Sequence, residues 1–203
     1  MTEPATDVRI GVILASVREG RRGEVYARWI HELLGQREGV ATELLDLRDF
    51  ALPPYGHAEM PRAIETRYSD DTARRWSENI HALDGSVIVT PEYNHGYPAA
   101  LKELIDSAGE EWHAKPAAFV SYGGVSGGLR AVEQLRQVFA ELHVVSIRDS
   151  VSFQNAWQLF DSTGCPADPD RCSAQMSKML AKLHWWATAL RTAREATPYF
   201  AAA

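Results

Sequence analysis

Three polar loops hold the residue types with which this chain could grip a small molecule. The first reads Ala15-Ser16-Val17-Arg18-Glu19-Gly20-Arg21-Arg22-Gly23-Glu24-Val25. It leaves a short apolar run and enters a segment of helical periodicity, so unpaired backbone N–H groups and the helix dipole there favour an anion. Ser16 adds a hydroxyl, Gly20 and Gly23 let the backbone come close, and Arg18, Arg21 or Arg22 can fork onto oxygens. Three arginines within five residues of an otherwise acidic chain point to a phosphate monoester. There is no GxxxxGK[ST], and no GxGxxG follows the first strand, so neither a nucleoside-triphosphatase loop nor a Rossmann dinucleotide site is expected.

The second loop, Thr90-Pro91-Glu92-Tyr93-Asn94-His95-Gly96-Tyr97-Pro98, combines rigid turns, aromatic faces and amide donors. That mixture suits a planar heteroaromatic ligand that needs both stacking and edge hydrogen bonds. Tyr93 and Asn94 are expected to point into a crevice. His95 is a lone loop histidine, a type more often solvent-facing than a proton carrier. The third loop, Ser121-Tyr122-Gly123-Gly124-Val125-Ser126-Gly127-Gly128, has four glycines in six positions, which lets a flat ligand lie against the main chain. Ser126 is expected to cap the next helix, and Arg130 to reach the crevice from its first turn.

Loops such as these act only where strands and helices bring them together. Val8 to Leu14 reads as a buried strand, and Val25, Trp29, Leu33 and Leu34 recur at helical spacing up to Gly35. Further strands are expected at Val40 to Leu47 (Asp46 at its carboxyl end), Ser86 to Thr90, Ala117 to Ser121 and Leu142 to Ile147. Further helices are expected at Ser69 to Ala82, Ala99 to Ala108, from Leu129 past Phe139, and Ser173 to Arg194, with 161–171 a loop. Short apolar strands alternating with amphipathic helices imply an α/β fold, a parallel sheet covered on both faces. The expected architecture is a flavodoxin-like three-layer sandwich with a five-stranded sheet of order 2-1-3-4-5. The loops after strands one, three and four then share one edge, where ligands of such sheets bind.

The chain has 203 residues, 45% apolar and 24% charged, which fits one domain with its core at about 8–150 and argues against disorder. A net charge of −6 disfavours a nucleic-acid surface. No run approaches the ~20 apolar residues of a membrane span, and residues 1–7 lack the pattern of a signal peptide. Cys165 and Cys172 have no zinc-ligand spacing, so no metal is expected and both read as free thiols in a cytoplasmic protein.

Taken together, the loops resemble those of the NADPH-dependent FMN reductase family. The likeness rests on Ser16-Val17-Arg18, on Thr90-Pro91-Glu92-Tyr93-Asn94 with Pro98 and Leu101-Lys102-Glu103-Leu104-Ile105-Asp106, and on Gly123-Gly124-Val125-Ser126-Gly127-Gly128-Leu129-Arg130. It implies FMN phosphate in the first loop, at Ser16, Arg18, Arg22 and the helix start Gly23, Glu24 and Val25. It implies Pro91, Glu92, Tyr93 and Asn94 beside the ribityl chain and ring, with Ser121, Gly123 and Gly124 beneath the ring. His95, Tyr97 and Arg130 then fall on the substrate side. The chain departs from the family at Ala15, where glycine is usual, at Arg21-Arg22-Gly23, where a serine or asparagine is usual, and at Pro98-Ala99 in place of Pro-Gly.

The implied activity is hydride transfer from NADPH or NADH through FMN to a flavin, quinone or related small-molecule acceptor, with no side-chain nucleophile. The rival reading is a flavodoxin-type electron carrier, which typically has a hydroxyl-rich first loop without arginines. The resemblance also implies a homodimer or homotetramer. Trp76, Tyr97, Trp112 and Phe153 could then contribute apolar contacts, and Pro53-Pro54-Tyr55 could lie over a partner's flavin.

Overall fold

The computed structural model describes residues 7–52, 70–159, 166 and 168–199. Strands β1 (Val8–Leu14), β2 (Val40–Asp46), β3 (Gly85–Pro91), β4 (Pro116–Gly123) and β5 (Val145–Gln154) alternate with helices α1 (Gly23–Gly35), α2 (Asp71–Ala82), α3 (Ala99–Asp106), α4 (Leu129–Glu141) and α5 (Pro169–Ala196). The strands form one parallel sheet of order β2-β1-β3-β4-β5, the expected flavodoxin-like topology.

Side chains of a strand alternate between faces, so the central strands feed two cores at once. Ile10, Val12, Leu14, Val87, Val89, Ala118 and Val120 pack on one side with α1 and α5. Ile13, Ile88, Ala117 and Phe119 pack on the other with α2, α3 and α4. On α5 the buried residues Met176, Met179, Leu180, Leu183 and Ala187 recur at helical spacing, which lays the helix along the first face. Trp76, Trp112 and Phe153 are 0, 2 and 3% exposed, so they are core residues and not interface contacts. The Trp76 indole N–H donates to the Leu104 carbonyl at 2.7 Å, which joins α2 to α3.

The register carries the loops to a common edge. Leu14 lies opposite both Asp46 and Val89, and Pro91 opposite Tyr122. The ends of β1, β3 and β4 therefore stand side by side, with the end of β2 beside β1.

Three elements differ from expectation in their bounds. Strand β5 begins at Val145 and runs to Gln154, beyond the expected end at Ile147. It is an edge strand, and its pairing to β4 shifts register between Ala117 and Phe119. The Arg136 guanidinium spans that irregularity, donating to the Ile147 carbonyl at 2.8 Å and the Arg148 carbonyl at 3.2 Å. The last helix begins at Pro169 instead of Ser173 and ends at Ala196 instead of Arg194, because proline is tolerated in a first turn. Helix α3 stops at Asp106, short of Ala108. Pro53-Pro54-Tyr55 and Cys165 lie outside the described residues; Cys172 is a half-buried free thiol whose pKa burial pushes up.

Candidate active site

A cleft of about 370 Å³ opens where β1, β3 and β4 end. Ser16, Arg18 and Arg22 line it from the first loop, Pro91, Glu92 and Tyr93 from the second, and Gly123 and Gly124 from the third. These are the predicted cofactor residues the structure brings together. Gly23 opens α1 behind them. Asn94, His95, Tyr97, Ser121 and Arg130 stand outside the lining.

The first loop meets the second through two contacts. The Ser16 and Tyr93 hydroxyls are 2.7 Å apart, and the Arg18 guanidinium lies 5.0 Å from the centre of the Tyr93 ring. Such a stacked cation keeps its charge near the cleft while its hydrocarbon stem covers an aromatic face. Beyond them, Arg22 stands at the N-cap of α1, and no side chain caps the helix's first turn. The Val25 amide is committed to the Arg22 carbonyl at 3.1 Å, and the Glu24 carboxylate to Arg28. What remains of this helix start for an anion is the first-turn backbone N–H groups without a helical partner, together with Arg18 and Arg22.

Arg21 has a different task from its neighbours. Its side chain is 4% exposed and forks onto the Asp46 carboxylate, with one arm also reaching the Ser16 carbonyl at 2.7 Å. Burial pushes the Asp46 carboxyl up, but Arg21 and the Arg48 amide outweigh it and hold the group below its ordinary value. Asp46 sits at the end of β2, so this pair ties the first loop to the neighbouring strand.

Glu92 joins the second loop to the third. Its side chain is 5% exposed and accepts from the Ser126 hydroxyl at 2.8 Å and from the Arg130 amide and Nε at 3.2 and 2.7 Å. Burial opposes ionisation there, yet Arg130 and Ser126 prevail and the carboxyl is held below 4.5. Arg130 is thus paired with Glu92 and lies outside the crevice wall. Ser126 does not cap α4: that position belongs to Gly128, at φ 85°, where a Cβ would lie 2.7 Å from that of Ser121. Ser121 is buried and donates to the Gly127 carbonyl at 2.8 Å, shaping the glycine turn from below.

Asn94 and His95 occupy the tip of a tight turn closed by Tyr93 and Gly96, which exchange hydrogen bonds at 2.8 and 3.1 Å. Both tip residues have positive φ, 49° and 76°, and both are exposed. Gln134 holds the His95 carbonyl at 2.9 Å, fixing the turn against α4. Tyr97 is half-buried, and burial raises its pKa.

The structure adds a wall that sequence reasoning missed. After β5 a single turn, Ala156–Gln158, returns to the cleft and contributes Ala156 and Trp157. Tyr26 donates to the Ala156 carbonyl at 3.1 Å and Arg22 to the Trp157 carbonyl at 3.0 Å, so α1 itself holds this wall. Trp157 is 52% exposed, an aromatic residue left open at the rim. Deeper in, the Tyr122 hydroxyl lies near Ser16 but is buried with no hydrogen-bond partner of normal geometry. A buried polar group of this kind is stabilised when a ligand brings a partner.

Among the described residues no group of three or more His, Cys, Asp or Glu is placed to hold a metal, and no helix is long and apolar enough to cross a membrane.

Comparison with known proteins agrees with this geometry. The family described as NADPH-dependent FMN reductase matches residues 8–158. The NAD(P)H-dependent FMN reductase LOT6 of Saccharomyces cerevisiae is 40% identical over 142 residues, covering 64% of this chain and 73% of that protein. A quinone reductase of Pseudomonas putida is 29% identical over 170 residues, covering 80% and 86%. Among solved structures, the flavoenzyme NAD(P)H:(acceptor) oxidoreductase FerB of Paracoccus denitrificans has a TM-score of 0.70 at 21% identity, covering 89% of this chain and 97% of that one, a likeness of fold. With the sheet order, the arginine-bearing first loop and the glycine-lined cleft in place, these matches identify the chain as a member of the NADPH-dependent FMN reductase family.

Proposed function

We propose that the cleft holds FMN with its phosphate at the first loop and its ring over Gly123 and Gly124, and that the chain uses it to move electrons from NAD(P)H to a quinone-class acceptor. The observation that carries this reading is the joint lining of one cleft by arginines at an uncapped helix start and by glycines beside an open aromatic face. The residues present suit the group. Arg18, Arg22 and the α1 amides offer the phosphate charge and donors. Ser16 and the unpartnered Tyr122 hydroxyl can meet polar atoms next to it. Gly123 and Gly124 present main chain without side chains to a flat ring.

When bound, FMN would supply the hydride and electron transfer between nicotinamide and acceptor. The chain's part is to bind, orient and leave access. Pro91 and Tyr93 fix one side of the cleft, Trp157 the other, and backbone N–H groups of the glycine turn supply donors to a ring edge. Trp157, open to solvent, is the surface on which a planar nicotinamide or quinone can stack. Exposed Val125 and Leu129 beside the cleft suit a second copy of the chain, which makes a homodimer the favoured assembly. A reaction drawing on NAD(P)H and the free Cys172 thiol suit a reducing cytoplasmic compartment.

The test is steady-state oxidation of NADPH and of NADH by FMN-loaded protein with a soluble quinone. Sustained turnover at many cycles per flavin is expected. A single cycle that stops, with activity restored only by a separate reductase, would make the chain a carrier.

A further inference from the structure

Loop 16–18 is held by its carbonyls. Three successive carbonyl oxygens, those of Ser16, Val17 and Arg18, each accept from a guanidinium. Arg21 takes Ser16 at 2.7 Å, and Arg48 takes Val17 at 3.2 Å and Arg18 with its other arm. Both arginines are seated on one carboxylate. Asp46 receives the fork of Arg21 and accepts the Arg48 amide at 3.0 Å, capping the short turn Leu47–Phe50 that presents Arg48. Arg21 also lines the cleft, whereas neither Asp46 nor Arg48 does. A loop whose carbonyls are drawn to one side presents its N–H groups to the other, which is the condition for a backbone anion cradle. Freed carbonyls could turn their partial negative charge toward an anion in the cleft.

We propose that Asp46, Arg21 and Arg48 form a brace that keeps the first loop in its anion-binding shape, so that Arg48 is a positioning residue for the cofactor phosphate without touching it. The inference rests on the placement of FMN phosphate in that loop. It assigns to the end of β2 and the turn after it a part in selecting a phosphorylated flavin over an unphosphorylated one.

The experiment compares the dissociation constants of FMN and riboflavin, read from quenching of flavin fluorescence, for wild type, Arg48→Ala and Asp46→Asn at low and high salt. Arg48 is exposed, so its removal should leave the core intact. The expected result is an FMN constant weakened about tenfold in Arg48→Ala at both salt concentrations, with riboflavin changed less than about twofold. Asp46→Asn should show the same selectivity, and it decides the matter if Arg48→Ala does not fold. Equal weakening of both ligands would reduce the brace to general stability and overturn the proposal. So would no loss for FMN, or a loss that vanishes at high salt, which would mark long-range attraction. If wild type binds riboflavin as tightly as FMN, the phosphate placement itself fails and the brace falls with it.

Discussion

Replacing Gly124 by leucine should abolish useful FMN binding while leaving the fold as stable as before. A Cβ at Gly124 meets nothing nearer than Trp157 Cη2, at 3.7 Å, and its φ is not in the positive region, so the backbone accepts a side chain. The remainder of a leucine has to go into the cleft, because Gly124 and Trp157 are both parts of its wall. A cleft of about 370 Å³ that must take a three-ring system has no room for an added isobutyl group. The expected loss of FMN affinity is at least about 100-fold, or some 2.7 kcal/mol. The melting temperature should change little, since Gly124 is half-exposed and substitutions away from the core usually lie within about 0.5 kcal/mol. Calorimetric titration with FMN beside a thermal melt checks both halves. Unchanged affinity in a folded variant would move the flavin out of this cleft.

Glu92→Gln should weaken the join between the second and third loops and flatten the protein's response to acid. Glutamine keeps the shape of Glu92 but not its charge, and it cannot accept from Ser126 and both Arg130 donors as an ionised carboxylate does. Loss of charge-assisted hydrogen bonds at a side chain that is 5% exposed is expected to cost about 1.5–3 kcal/mol at neutral pH. The sign of the pH effect follows from the depressed pKa. Glu92 is held below its ordinary 4.5, so its contribution is complete above that value and is lost as pH falls through the lower folded value. Wild type and Glu92→Gln should therefore differ most near neutrality and converge in acid. Melts of both proteins from pH 7 down to about 3 measure this, and a constant offset across that range would contradict it.

The central strands were legible because they are buried on both faces and read as continuous apolar runs: Ser86 to Thr90 is strand in both readings. The far half of β5 was not, since the polar Arg148, Asp149 and Ser150 carry no apolar run, and Arg136 holds the carbonyls of the register shift there. The same error hid the rear wall of the cleft, for Trp157 reaches it only when β5 continues to Gln154. That the first loop brings its serine, a glycine and its arginines to the cleft was legible from their spacing after the first strand. Which of the lining arginines is already paired was not, because the partner that engages Arg21 is 25 residues away. The missing signal was the parallel pairing that sets Leu14 opposite Asp46. Likewise, Glu92 and Arg130 read separately as ligand residues, and only the neighbouring ends of β3 and β4 turn them into a clamp.

The most direct measurement is the visible spectrum of FMN-loaded protein before and after NADPH is added without oxygen, followed by a quinone. The account predicts a flavin band that bleaches with NADPH and returns with the quinone, in stoichiometric amounts and without another protein. A flavin band that survives NADPH would contradict it and leave a flavin carrier that must be reduced elsewhere.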